Sequence, residues 1–85
     1  MERSRLFNAL QAVDGLEPYP SQANFILCRV TACDALELKR ALEREGVLVR
    51  YFDKPGLRDC IRISVGKPQD TDALMDALRN VMRAA

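Results

Sequence analysis

The sequence predicts an α+β two-layer sandwich, a three-stranded mixed sheet with all its helices on one face. Three observations carry this. The apolar spacing switches between helical and strand periods in the order α-β-α-β-β-α. A short turn between the last two strand patterns makes them antiparallel neighbours. No linker, internal repeat or low-complexity stretch interrupts the alternation, so residues 1–85 read as a single domain. A chain of this length buries roughly 60 % of its unfolded surface and sits near the lower end of what folds alone.

A first helix is predicted over residues 2–14, where Leu6, Leu10 and Val13 fall on one face and Phe7 widens the stripe. Asp14-Gly15 ends it, glycine being the residue that enters the left-handed region without strain. Pro18 and Pro20 push their predecessors out of helical space, so residues 17–21 are extended. Residues 24–30 are almost continuously apolar and read as a first strand, central or covered on both sides. Thr31-Ala32-Cys33-Asp34 has capping-box spacing, with Asp in place of the usual Glu, and opens the second helix. That helix sets Ala35, Leu38, Ala41 and Leu42 against Glu37, Lys39, Arg40, Glu43 and Arg44 on its wet face, and Gly46 stops it.

Residues 47–52 are predicted as the second strand and 53–56 as a turn by composition. Residues 60–65 alternate at period two, sending Ile61, Ile63 and Val65 to the buried side and Arg62 and Ser64 to the other. After Gly66, Pro68 suits the first turn of a last helix, and Asp70 and Asp72 suit its positive end. Leu74, Ala77, Leu78, Val81 and Met82 form its apolar stripe. The helical crossover should be right-handed and lay the second strand parallel to the first. The third then fits between them, giving the spatial order 1-3-2.

Composition excludes several classes of function. Lys and Arg number 13 against 12 Asp and Glu, a net charge of +1. No broad basic field exists to hold a polyanion, which argues against nucleic acid as a partner. There is no apolar run of about 18 residues and no apolar stretch behind the charged N-terminus, so neither a membrane helix nor a secretory signal is expected. The sequence has no histidine, which removes imidazole acid–base chemistry. Cys28, Cys33 and Cys60 form no C-x-x-C pair and fall short of the ligand set of a zinc site, so no metal is expected. Unpaired thiols suit a reducing cytosol, and the expected location is cytoplasmic.

The predicted topology brings Arg62 to the central strand on the uncovered face, beside Arg50, Leu48 and Phe52. Two readings of Arg62 stay open from the strand alone. It is a solvated charge on an open sheet, or a rigid fork for a carboxylate or phosphate. The apolar residues around it make the face a poor one for plain solvent. Such a face meets a second domain, a partner chain or a ligand, and the isolated domain should be marginally stable or self-associating.

Four segments resemble a known family. Pro20-Ser21-Gln22-Ala23-Asn24-Phe25-Ile26-Leu27 resembles the "PS-x-ANF" segment of histidinol-phosphate aminotransferases. Glu45-Gly46-Val47-Leu48-Val49-Arg50 is similar to their "G-x-x-V-R" strand, and Leu57 through Gly66 to their "LR-x-x-x-G" strand. The helix after Gly66 follows in the same order, and Glu2-Arg3 sits where the family has an "ER" helix. The resemblance covers essentially the whole chain. It implies a class I/II pyridoxal-phosphate enzyme of the aspartate-aminotransferase fold type (fold type I), with residues 1–85 as its C-terminal small domain.

That resemblance places the cofactor lysine, the pyridinium partner and the phosphate cup in a separate large domain. Lys39, Lys54 and Lys67 match none of the family's Schiff-base motif, so pyridoxal phosphate belongs to the full-length enzyme and is not bound by this chain alone. Met1 would then lie inside a longer protein, and this chain by itself should not transaminate. The full enzyme is expected to be a homodimer of histidine biosynthesis, acting on glutamate or 2-oxoglutarate and a phosphorylated amino alcohol.

By the same resemblance, Arg62 corresponds to the arginine that grips the donor carboxylate or the substrate phosphate. Arg50 corresponds to a second arginine on that phosphate, and no catalytic residue is implied here. Arg58 competes for the role only if it leaves the turn in which it is expected to be solvated. Related threonine-phosphate decarboxylases and aromatic aminotransferases share much of this pattern. A free-standing ferredoxin-like module that binds a small anion or regulates a partner is the alternative of another class.

Overall fold

A computed structural model describes residues 2–21 and 23–83. The chain runs α1 (Glu2–Gln11), β1 (Leu16–Pro18), β2 (Phe25–Val30), α2 (Ala35–Arg44), β3 (Cys60–Ser64) and α3 (Pro68–Arg83). It is the expected α+β sandwich of a three-stranded sheet and helices. Leu6 and Leu10 of α1, Leu38 and Leu42 of α2, and Leu74 and Leu78 of α3 join Ile26, Cys28, Ile61 and Ile63 in one core. The sheet residues among them all belong to one face, so the helices cover that side.

Helix α1 ends three residues before the predicted limit. The amide of Val13 donates to Leu10 O at 3.1 Å, an i to i−3 bond that tightens and closes the helix. Gly15 then takes a φ of 94°, and its carbonyl accepts the Thr31 amide at 2.8 Å beside the end of β2. The turn feeds Leu16 into β1, an edge strand ending at Pro18, where a missing amide proton is tolerated.

Helix α2 is capped at Asp34 and not at Thr31. Asp34 is extended (φ −72°, ψ 131°), and its carboxylate accepts the Glu37 amide at 3.1 Å. The capping pair is thus Asp34–Glu37, three residues later than the sequence pattern placed it. At the other end Gly46 (φ 85°) lets Val47 N donate to Leu42 O at 2.9 Å and Gly46 N to Glu43 O at 3.0 Å. This is a Schellman motif. Helix α3 starts with the Asp70 carboxylate accepting the Lys67 amide at 2.9 Å.

Residues 60–64 do lie between 25–30 and Arg50, as the expected order 1-3-2 had it. But 47–52 forms no strand and 16–18 does, so the order of strands differs. The sheet is β1-β2-β3 and antiparallel throughout, with Leu16 opposite Val30 and Leu27 opposite Arg62. Residues 47–52 form no strand and contribute one isolated bridge, Arg50 to Arg62, so the predicted mixed sheet is replaced by an antiparallel one with β1 as its third member. The reason lies in the neighbouring hydrogen bonds. The Phe52 carbonyl accepts from Lys54 and the Cys60 amide donates to Leu57 O. A ladder around Arg50 and Arg62 is therefore stopped at the Phe52–Cys60 end. Strand β2 also alternates in exposure instead of being covered on both sides: Ile26, Cys28 and Val30 are buried while Phe25 and Arg29 are exposed.

Candidate functional site: an arginine groove on the open sheet face

Arg50 and Arg62 are held opposite each other by a reciprocal backbone pair. Arg50 N donates to Arg62 O at 3.0 Å, and Arg62 N donates to Arg50 O at 2.9 Å. Directly opposed residues of an antiparallel pair send their side chains to the same face. Both line an open groove of about 500 Å³ with Lys39, Leu48, Phe52 and Ser64. Leu48, 78 % exposed, stands at its rim as the apolar residue the sequence placed on this side. The Arg62–Ser64 side of β3 thus faces away from the core, where Ile61 and Ile63 are buried.

Arg62 is half-buried and rests on aromatic rings. Its Cζ lies 4.8 Å from the centroid of Phe25 and 5.3 Å from that of Phe52. The register explains both contacts. Phe25 sits opposite Ser64, two residues along β3 from Arg62, and Phe52 is two residues beyond Arg50 in the other direction. Diagonal neighbours at this spacing are within reach of aromatic rings.

The electrostatics of the groove are one-sided. Among the described residues, Arg5, Arg29, Arg40, Arg58 and Arg79 all have a carboxylate within ion-pair distance, and Arg62 and Arg50 have none. Arg44, Lys54 and Lys67 also lack one, but all three are exposed, as is Arg50. Arg62 Nε is buried with no hydrogen-bond partner. An orphaned buried donor costs about 1–3 kcal/mol, and like charges set opposite each other on a sheet repel further. An arriving oxyanion would answer the paired charges.

Arg58, the competitor for this role, is 63 % exposed and bound to Asp53 at 2.8 Å, so its charge is answered inside the turn. Lys39 reaches the groove wall while its Nζ holds Glu43 at 3.1 Å. Sequence reasoning assigned Lys39 to the wet face of its helix and gave Phe25 no part in the site. The register of β2 on β3 is the signal that would have found Phe25, since it sets that ring diagonally across from Arg62.

Comparison with known proteins supplies the family. A curated histidinol-phosphate aminotransferase of Roseiflexus castenholzii is 52 % identical over 83 residues, covering 94 % of this chain. The chain spans only 22 % of that relative's length. The crystal structure of L-threonine-O-3-phosphate decarboxylase from Porphyromonas gingivalis matches with a TM-score of 0.87 and 29 % identity, over 96 % of this chain and 26 % of that one. The histidinol-phosphate aminotransferase of Sinorhizobium meliloti, solved in complex with pyridoxal-5'-phosphate, matches with a TM-score of 0.78 and 31 % identity, over 98 % of this chain and 23 % of that one. The family model for aminotransferase class I and II covers residues 1–78, and the chain belongs to the class I and II aminotransferases.

Proposed function

We propose that this chain is the C-terminal small domain of a pyridoxal-phosphate aminotransferase acting on histidinol phosphate, in which Arg62 and Arg50 hold the oxyanions of the substrates. The observation that carries the reading is the Arg62–Arg50 pair, joined by two backbone hydrogen bonds and answered by no carboxylate among the described residues. A transaminase must seat an amino-acid carboxylate and a phosphate ester in turn at one site. A guanidinium accepts either through paired N–H donors. Mounting both arginines on bonded backbone, and not on free loops, limits their wandering. The identity of about half to histidinol-phosphate aminotransferases supports that substrate class.

The family implies pyridoxal phosphate in the full enzyme, but the lysines of this chain do not fit it. Lys39 Nζ is engaged by Glu43, and Lys54 and Lys67 are exposed ahead of a turn and a helix. The cofactor-holding residues are therefore assigned to a large domain, which would also cover the apolar rim of the groove, with the full-length enzyme a homodimer.

In the full-length enzyme, Arg62→Ala should lower kcat/KM for both glutamate and histidinol phosphate by about 30-fold or more while leaving the cofactor absorbance intact. Unchanged steady-state kinetics would sink the assignment. The likeness to the threonine-phosphate decarboxylase supports a second reading, in which the same arginines serve a phosphorylated amino acid. Carbon dioxide release from L-threonine-O-3-phosphate, with no transamination of histidinol phosphate, would select it.

A further inference from the structure

We propose that Phe25 and Phe52 are positioning residues for Arg62, together fixing the plane in which its guanidinium meets an oxyanion. The inference rests on the reading of Arg62 as an oxyanion group and adds to it the means by which that group is held. A half-buried arginine is ordinarily anchored by a carboxylate or by carbonyls. Here no side-chain hydrogen bond or ion pair anchors it among the described residues, and its Nε is both inaccessible and unpartnered. What does touch it is a ring from each side. Phe25 approaches from the Ser64 end at 4.8 Å and Phe52 from the Cys60 end at 5.3 Å.

The chemistry of that choice is specific. A carboxylate anchor would fix the guanidinium but also neutralise it and compete with the ligand. Aromatic faces attract the cation through their quadrupole without supplying an acceptor, so the N–H donors stay uncommitted. With Cζ within cation–π distance of both rings, the N–H edge is the part of the guanidinium left to a ligand. A ligand then approaches in the guanidinium plane, where paired N–H donors match paired oxygens. Phe25 is 37 % exposed and lies outside the core, so its ring is not explained by packing beneath the helices.

The test uses the 85-residue chain itself, followed by arginine side-chain Nε–Hε NMR during titration with inorganic phosphate and with acetate. Arg62→Lys identifies the Arg62 signal by its loss. In the wild type that signal should be displaced upfield by the rings and should move on adding either anion. Phe25→Leu and Phe52→Leu should each bring it back toward the position of solvated arginines and weaken the anion response roughly 3- to 30-fold. Phe52→Tyr, which keeps the ring, should preserve both. The backbone amide spectrum checks that each variant stays folded.

Leucine variants that leave the Arg62 signal and the titration unchanged, while Arg62→Ala abolishes anion binding, would overturn the positioning role alone. Anion binding that survives Arg62→Ala, or unchanged kinetics of Arg62→Ala in the full-length enzyme, would overturn the reading of Arg62 beneath it. A wild-type Arg62 signal without the upfield displacement would overturn the ring contacts.

Discussion

A charge without a partner and a glycine without room show how single residues carry this structure. Arg62 was legible in the sequence as the polar member of an alternating strand, and the alternation alone put it on the open face. Its two rings were not legible, because they come from segments 37 and 10 residues before it and meet it only through strand register. Gly15 was read as a helix stop, and the structure adds a second demand. A Cβ there would collide with the Cβ of Ala32, at a φ of 94° that side chains rarely adopt. Gly15→Ala should therefore cost about 1–2 kcal/mol from backbone strain, with the collision adding to it. Urea unfolding measures this, and an unchanged midpoint would show that the turn relaxes freely.

Secondary-structure elements were easiest to read where they are amphipathic and hardest where hydrogen bonds decide them. The stripes of α2 and α3 follow directly from their apolar spacing. Residues 47–52 have the composition of a strand, yet the following turn takes the Phe52 carbonyl and the Cys60 amide that would extend the pairing. Periodicity carries no record of such commitments. Residues 17 and 18, read only as extended, join Leu16 in pairing with β2 as the edge strand. The cap of α2 moved from Thr31 to Asp34 because the Asp34 side chain can reach the Glu37 amide. Asp34→Ala should lower stability by about 1 kcal/mol and speed amide exchange in the first turn of α2, while Asp34→Asn retains most of the cap. Equal exchange in all three proteins would remove Asp34 from that role.

The molecule as a whole is a one-sided sandwich, with helices and core behind the sheet and an arginine groove in front. Two thiols within it make an alkaline limit to stability. Burial pushes the Cys28 thiol up to about 12 from the ordinary 9.0. Burial, joined by the Asp59 carboxylate, pushes Cys60 up to about 11. Both are neutral in the folded chain where the unfolded chain would ionise them. Their contribution is present in full below pH 9.0 and is lost as pH climbs through the folded values of about 11 and 12. Urea midpoints should thus fall more steeply above about pH 9 in the wild type than in a Cys28→Ala, Cys60→Ala variant. Parallel pH profiles for the two proteins would refute the assignment.

The sequence by itself determined the fold class, the buried and open faces of the last strand, and the two arginines on the open one. These follow from local periodicity, which fixes which way a side chain points before any long-range contact forms. Tertiary structure alone decided which segments complete the sheet and what surrounds Arg62. Register and hydrogen-bond competition between distant segments set those, and neither is written in the spacing of any one segment. The result is an arginine that rests on two rings and, among the described residues, meets no carboxylate.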